Sequence, residues 1–152
     1  MMRNEGEIGM TTFNFENGNG PVPAHQHSNG GGWVADTATV ADTAFIGSDA
    51  RVFGNAQVSG YARVVGNAWV AGNAKVSDDA WVSDDARVYG NARVTGNAWV
   101  AGNAWVTGNA RVTGNAQVSG NAFLSDDVED DDTSEDIFIE MNGKRYKLVE
   151  IA

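Results

Sequence analysis

The chain has 152 residues, a net charge of −10 and 42% hydrophobic residues, which predicts one folded domain rather than an unfolded chain. It contains no cysteine, which excludes disulfides, a Cys-based zinc site and a thiol nucleophile. Residues 126–152 hold ten acids against three bases, so the acidity belongs to the tail, and binding of the whole protein to a nucleic-acid polymer is not expected.

Residues 1–32 are predicted to form an N-terminal extension and cap. Thr11 to Phe15 alternate like a short strand, and the Gly- and Asn-rich residues 16–20 that follow predict a turn. The exposed end of a repeat array needs a cap against end-to-end association. We therefore expect Phe13 or Phe15 to cover the start of the repeat that begins at Trp33.

His25 and His27 are the two histidines of the chain, and they lie in a Pro- and Gly-rich segment. A His-x-His pair in an extended segment can chelate a metal from one face, and a trimer would bring three such pairs together. The pair has no cysteine or carboxylate beside it in the sequence. Solvated or cap-packing histidines are therefore the preferred interpretation, and no metal or cofactor is predicted.

Residues 33–125 repeat the pattern Ala-x-Val-x-Gly-Asn every six residues, sixteen times without a slip. An aliphatic residue stands at each sixth position from Val34 to Leu124, and from Ala38 onward an alanine precedes it by two residues. Strand side chains alternate, so Ala and Val point inward and the residue between them points outward. Gly, Asn and Asp then supply a corner. Each hexapeptide is thus one short strand and one corner.

This pattern resembles the left-handed β-helix of hexapeptide-repeat proteins, and residues Val112 to Gln117 match the family motif except at Thr113. The resemblance implies left-handed winding with three hexapeptides in each triangular coil. The predicted fold class is therefore all-β, a single-stranded left-handed parallel β-helix of about five coils.

With eighteen residues per coil, the outward residues form three columns. The first is Trp33, Arg51, Trp69, Arg87, Trp105 and Phe123; the second is Thr39, Gln57, Lys75, Arg93 and Arg111; the third is Phe45, Arg63, Trp81, Trp99 and Gln117. At a coil spacing of about 4.7–4.9 Å, alternating Trp and Arg can stack through cation–π contacts. A set of exposed Trp side chains also predicts a contact surface.

Two uses of these columns remain open. The first is burial between subunits, because proteins similar to this one are commonly homotrimers. The second is binding of a small molecule, a nucleotide or a glycan, by aromatic rings with interleaved Arg. The candidate ligand or interface residues are Trp33, Arg51, Trp69, Arg87, Trp105, Arg63, Trp81 and Trp99.

An enzyme is the weaker hypothesis. The acyltransferases that share the resembled fold use a histidine as general base, and no histidine follows His27 in this chain. No loop interrupts the repeat, and the C-terminus does not have a helical pattern. No catalytic residue is predicted, and a degenerate acyltransferase is kept as an alternative.

After Leu124 the acidic residues 126–136 are predicted to form a solvated linker. Residues 137–152 predict a β-hairpin around Asn142 and Gly143 with a type I′ turn, pairing Glu140 with Arg145 and Ile139 with Tyr146. An isolated hairpin is marginal in water, so this one should pack on the last coil, a second copy or another protein.

The lead-in from Gly20 to Ala38 resembles that of hexapeptide proteins encoded by bacteriophages and prophages. No apolar run reaches the roughly 18 residues of a membrane span, and the first residues lack a signal-peptide pattern. We therefore expect no membrane association and a location in the cytoplasm, the host cytoplasm if phage-encoded, or in a virion. The predicted function is that of a non-enzymatic homotrimeric scaffold or binding module that presents rigid faces and ends to a partner.

Overall fold

The computed structural model describes residues 11–125 and the backbone of residues 137–141 and 144–148. All regular structure within these residues is β-strand. The strands are β1 Thr12–Asn14, β2 Pro21–Gln26, β3 Trp33–Ala35, β4 Thr39–Val40, β5 Phe45–Ile46, β6 Arg51–Val52, β7 Gln57–Val58, β8 Arg63–Val64, β9 Trp69–Val70, β10 Lys75–Val76, β11 Trp81–Val82, β12 Arg87–Val88, β13 Arg93–Val94, β14 Trp99–Val100, β15 Trp105–Val106, β16 Arg111–Val112, β17 Gln117–Val118, β18 Phe123–Leu124, β19 Ile137–Met141 and β20 Lys144–Leu148.

Strands β3 to β18 form a parallel β-solenoid of about five coils. Every third strand pairs in one sheet, so the orders are β3-β6-β9-β12-β15-β18, β4-β7-β10-β13-β16 and β5-β8-β11-β14-β17. We call these the first, second and third sheets. Residues eighteen apart are partners, as Arg51 with Trp69 and Arg87 with Trp105. The predicted all-β parallel helix and its three outward columns are confirmed, and its left-handedness stays a prediction.

Main-chain hydrogen bonds join each coil to the next along strands and corners alike. The N–H of Trp69 donates to the carbonyl of Ala86 at 3.0 Å, and at the corner the N–H of Asn73 donates to Gly90 at 2.7 Å. Asparagine side chains add a second ladder at the corners, as Asn91 Nδ2 donates to Asn109 Oδ1 at 3.4 Å. Buried main-chain polar groups need such partners, and an uninterrupted ladder supplies them for a narrow core.

The core is a single column of valine and alanine inside the coils. The inward Val and Ala side chains from Ala44 to Leu124 are buried, and Val40 in the first coil is partly buried. Burying a Val contributes roughly 1.5–3 kcal/mol. Successive coils bring equal side chains into register about 4.7–4.9 Å apart, so that Val stacks on Val and Ala on Ala.

The corners require a left-handed backbone. Gly72 has φ +66°, and a Cβ atom built there would lie 2.9 Å from the nitrogen of Gly90 in the next coil. Asp78 and Asp84 adopt φ +62° and +59° at equivalent corners. Each carboxylate accepts a hydrogen bond at 3.1 Å from the glycine N–H one coil on, at Gly96 and Gly102. This bond offsets part of the strain that a non-glycine residue incurs there.

The N-terminal segment extends the first sheet at its N-terminal edge, and Asn29 and Gly32 pair with Ile46 at the edge of the third sheet. β1 pairs antiparallel with β2, and β2 pairs antiparallel with β3, so that His25 lies opposite Val34. As expected, Phe13 covers the start of the repeat: it lies on Trp33, and Phe15 lies on Phe53 one coil further on, both over the outer side of the first sheet.

At the other end, β19 and β20 form the predicted antiparallel hairpin. Glu140 pairs with Arg145 and Ile139 with Tyr146, as expected from the sequence. Strand β19 lies beside β18, the last strand of the first sheet. The predicted acidic linker at 126–136 and the turn at Asn142 and Gly143 lie outside the described residues. The described part of the chain contains no helix long and apolar enough to cross a membrane.

Candidate functional site

The first outward column is a stack of alternating Trp and Arg. The guanidinium carbon of Arg87 lies 4.4 Å from the ring centroid of Trp69 and 5.5 Å from that of Trp105. Arg51 lies 5.7 Å from the Trp69 centroid on the other side. Each such contact stabilises by about 0.5–1 kcal/mol at an exposed site. Arg51, Trp69, Arg87 and Trp105 of the predicted column therefore form one contact series, and Trp33 is the register partner of Arg51 at its start.

The third outward column stacks in the same way. Arg63 lies 5.3 Å from the centroid of Trp81, and Trp81 stacks on Trp99 with centroids 5.2 Å apart and 7° between the ring planes. Neighbours along the column cover much of the ring faces of Trp81 and Trp69.

The N-terminal segment covers the beginning of the first column. Phe13 stacks on Trp33 with ring centroids 4.6 Å apart, and Phe15 is 1% exposed and stacks on Phe53 at 5.0 Å. Arg51 Nη1 donates to the carbonyl oxygen of Phe15 at 3.2 Å and to Glu16 Oε1 at 3.1 Å. Trp33, which the sequence placed on an open face, is therefore partly buried by the chain's own cap.

A fourth set of outward residues was missed by the sequence interpretation. The residue that follows the inward Val also faces outward, and on the first sheet the apolar residues at this position are Ala35, Phe53, Ala71 and Tyr89. They form a second apolar cluster with Phe15 and Ala24. The signal was available, because Phe53 and Tyr89 are the two aromatic residues at this position of the repeat.

A cleft of about 280 Å³ opens on the first sheet where the cap ends. The cleft is lined by small residues of the coils, by Asn17 of the cap and by aromatic and charged side chains. The small residues are Ala71, Gly72 and Gly90, and the others are Phe53, Trp69, Arg87, Tyr89 and Trp105. Small-molecule sites are mostly apolar concavities with a few polar groups, and this cleft has that chemistry.

Three exposed aromatic side chains lie around one corner of the solenoid. Trp99 on the third sheet is 45% exposed, and Trp105 and Phe123 on the first sheet are each 39% exposed. Trp99 and Trp105 belong to consecutive strands, β14 and β15, and Phe123 pairs with Trp105. The rings of Trp105 and Phe123 are in contact, with centroids 6.1 Å apart, and Trp99 lies on the preceding strand in the adjoining sheet. We call these three residues, in the C-terminal half of the coils, the aromatic corner.

The second sheet presents a different surface. Lys75, Arg93 and Arg111 are neighbours in its outward column, and all three are exposed. Within residues 11–125 none of them makes an ion pair or a cation–π contact. This column offers matched control positions for variants in the aromatic columns.

The two histidines have separate partners. His25 Nδ1 lies 2.8 Å from Asp36 Oδ1, although no carboxylate is near it in the sequence. His27 is 6% exposed, and its Nε2 donates to the carbonyl of Ala44 at 3.0 Å. Within the described residues no group of three or more His, Cys, Asp or Glu could hold a metal ion. The structure does not bring the two histidines into one ligand set.

Comparison with known proteins supports the fold. The family model described as YdcK Beta solenoid repeat matches residues 86–102 and 104–120, under a quarter of the chain. Each matched stretch spans nearly one coil. Together the two stretches run from the Ala before Arg87 to the corner beyond Val118. No curated protein and no solved structure matches this chain. This protein is therefore a β-solenoid repeat protein that is similar to the YdcK repeat, and its relation to phage hexapeptide proteins stays a prediction.

Proposed function

We propose that this protein is a non-catalytic β-solenoid module that self-associates as a homotrimer and presents rigid surfaces to a protein partner. The observation that carries the proposal is the aromatic corner of Trp99, Trp105 and Phe123, which are three of the four large hydrophobic side chains exposed within the described residues; the fourth is Tyr61. Large apolar side chains exposed in one region of a soluble protein often mark an interface, and Trp is enriched at the centres of protein interfaces.

The stacking of the aromatic residues supports this use. Trp99 is held by Trp81, and Trp105 is in edge contact with Tyr89 at 5.9 Å between centroids. Side chains that are already ordered lose little conformational entropy when a partner binds. A surface fixed in this way suits recognition of a protein better than it suits a catalytic cycle.

The proposal that the protein is not catalytic rests on which cysteine and histidine side chains are available as a nucleophile or a general base. The chain has no cysteine, and its two histidines are His25 and His27. The first contacts Asp36 and the second is buried against Ala44. Neither lies among the coils where an acyl acceptor would bind in the resembled transferases. Location in a host cytoplasm or in a virion stays a prediction.

The test is the solution mass by light scattering at several concentrations, with iodide quenching of Trp fluorescence. We expect a trimer with protected Trp, and a monomer for the double variant Trp99→Thr with Trp105→Thr. The matched control is Lys75→Thr, an outward substitution on the second sheet, which should leave the mass unchanged. A wild-type monomer with quenchable Trp at every concentration would overturn the proposal.

A second candidate function, binding of a nucleotide or glycan, is favoured by the cleft on the first sheet. Arg87 could neutralise a phosphate while Trp69, Tyr89 and Trp105 contact a base or sugar. Purified protein that carries nucleotide absorbance, lost in Arg87→Ala and kept in Arg93→Ala, would support this candidate. Protein free of ligand, with no heat of binding for nucleotides or oligosaccharides, would remove it.

A further inference from the structure

An Asp side chain at a corner of the coils binds the main-chain N–H of the corresponding corner one coil further on. Asp78 Oδ2 accepts a hydrogen bond from the N–H of Gly96, and Asp84 Oδ2 accepts one from the N–H of Gly102, both at 3.1 Å. A hydrogen bond from a main-chain N–H to a carboxylate is charge-assisted and stronger than one between neutral groups. These two corners show that a carboxylate fits over a corner N–H of this solenoid.

The corner between the first and second sheets has the same backbone without such a side chain. Gly72 has φ +66°, against +62° for Asp78, and a Cβ atom built on Gly72 would lie 2.9 Å from the nitrogen of Gly90. The N–H of Gly90 makes no hydrogen bond within residues 11–125. Within these residues, therefore, no carboxylate takes over Gly90 the position that Asp78 Oδ2 takes over Gly96.

A guanidinium lines the same cleft as this N–H. Gly72, Gly90 and Arg87 all border the cleft of about 280 Å³ on the first sheet. Arg87 contacts two Trp rings, but it makes no hydrogen bond or ion pair within residues 11–125. Arg51, two coils earlier in the same column, donates to the carboxylate of Glu16. The cleft thus combines a main-chain donor and guanidinium donors that lack an acceptor among the described residues.

The remaining lining of the cleft indicates what else the ligand contains. Among the described residues that line it, Arg87 alone is charged. A phosphate carries a charge of about −1.5 to −2 at pH 7, so a single carboxylate matches one Arg better. Apart from Asn17, the other lining residues are apolar or aromatic: Phe53, Trp69, Ala71, Tyr89 and Trp105. Polar groups without partners are costly to bury there, which favours an apolar body.

We infer that the cleft on the first sheet binds a small apolar monocarboxylate. Its carboxylate accepts hydrogen bonds from the N–H of Gly90 and from Arg87, and its body contacts Phe53 and Tyr89. This inference goes beyond the proposed scaffold function, and its ligand class differs from the nucleotide or glycan of the second candidate. Trp105 lines the cleft and also belongs to the aromatic corner, so binding is measured on the wild-type assembly.

The test is a titration of the isotope-labelled full-length protein with phenylacetate, followed through the amide resonances. We expect the Gly90 amide proton to move downfield as the carboxylate binds, while that of Gly114, at a corner outside the cleft, stays in place. Phenylacetamide is the neutral analogue of the same size. It should bind at least about ten-fold more weakly, because hydrogen bonds to a charged group are the stronger ones.

Two variants remove the two donors in turn. Gly72→Asp should weaken phenylacetate binding about ten-fold or more, because the new carboxylate takes the Gly90 N–H as Asp78 takes that of Gly96. Arg87→Ala should weaken it to a similar degree. The matched controls are Gly96→Asp and Arg93→Ala, which make the same changes away from the cleft and should bind phenylacetate as the wild type does.

The outcomes separate this inference from the proposed self-association. Phenylacetate binding that leaves the Gly90 resonance in place, or that persists in Gly72→Asp, would overturn the inference, and so would an equal affinity for phenylacetamide. No binding of phenylacetate, with a nucleotide bound instead, would overturn it in favour of the second candidate. A monomeric wild type that binds phenylacetate at Gly90 would remove the trimer and support the inference. If Arg87→Ala unfolds, the Gly90 resonance and Gly72→Asp still decide.

Discussion

Arg51 joins the N-terminal cap to the solenoid at Glu16: its Nη1 lies 3.1 Å from the Glu16 carboxylate and 3.2 Å from the Phe15 carbonyl oxygen. The side chain of Arg51 is 23% exposed and that of Glu16 is 68% exposed. The charge pair by itself is therefore worth little in water. Arg51 therefore holds the cap mainly through its hydrogen bond to the Phe15 main chain and its contact with the Phe13 ring.

Replacing Arg51 should release the cap while the coils stay folded. We expect Arg51→Ala to lower the free energy of unfolding by about 1–3 kcal/mol, because a charged donor to the main chain is lost. Iodide quenching should increase as Trp33 loses Phe13, and protease cleavage near Asn17 should become faster. Arg93→Ala is the control. Equal quenching in the two variants would mean that Arg51 does not hold the cap.

The Trp81–Trp99 stack should contribute measurably to stability. We expect Trp99→Ala to cost about 1 kcal/mol more than Gln57→Ala, since an aromatic pair adds roughly 0.5–1.5 kcal/mol beyond burial. Urea unfolding at one protein concentration measures both. Losses of the same size would show that Trp99 rests on the surface without a stabilising contact.

Alanine substitutions at two corner glycines distinguish the cost of backbone strain from the cost of steric contact. Gly72 and Gly120 have φ of +66° and +69°, but a Cβ at Gly72 would lie 2.9 Å from Gly90 N, whereas one at Gly120 has no neighbour within 4 Å. Gly120→Ala should cost about 1–2 kcal/mol for the left-handed backbone. Gly72→Ala should cost at least about 1 kcal/mol more. Thermal unfolding of the two variants measures these losses of stability. A smaller loss for Gly72→Ala than for Gly120→Ala would contradict the packing argument.

The inward alanine column should not accept a larger side chain. Ala74 is fully buried, and Ala74→Leu should destabilise by about 1–3 kcal/mol through overpacking. Ala101→Leu is the control, because Ala101 follows the inward Val100 and is partly exposed. Val65 already occupies the same outward column two coils earlier. Similar unfolding midpoints for the two variants would mean that the core has unfilled volume.

The histidines should differ in their effect on stability. His27→Ala removes a buried donor to Ala44 and should cost about 1–3 kcal/mol. His25→Ala removes an exposed pair with Asp36 and should change stability by less than about 1 kcal/mol. Urea unfolding at pH 7 measures both, and the reverse order would contradict the assigned contacts.

The repeat predicts the coils from local chemistry alone. Val88 and Ala86 point inward because a strand alternates, and Arg87 then lies between Trp69 and Trp105 because the coil has eighteen residues. That number came from the resemblance to hexapeptide-repeat proteins, and the register confirms it. The eight residues expected to form the two columns all lie in them.

The cap could not be placed in the same way. Its position depends on the antiparallel pairing of β2 with β3 and on Phe15 finding Phe53, and neither contact belongs to the repeat. The second outward residue of each hexapeptide was overlooked because Ala71 and Thr107 at that position are small or polar, which obscures Phe53 and Tyr89. His25 and Asp36 meet only through the same pairing.

The alternation of Trp and Arg along the first outward column repeats every 36 residues, which is two coils. Loss of one coil of eighteen residues would bring Trp beside Trp or Arg beside Arg on the first sheet, and the cation–π contacts at that junction would be lost. Loss or gain of two coils keeps the alternation, the corners and the inward column in register. On this face the smallest insertion or deletion that keeps every Trp–Arg contact is therefore a pair of coils.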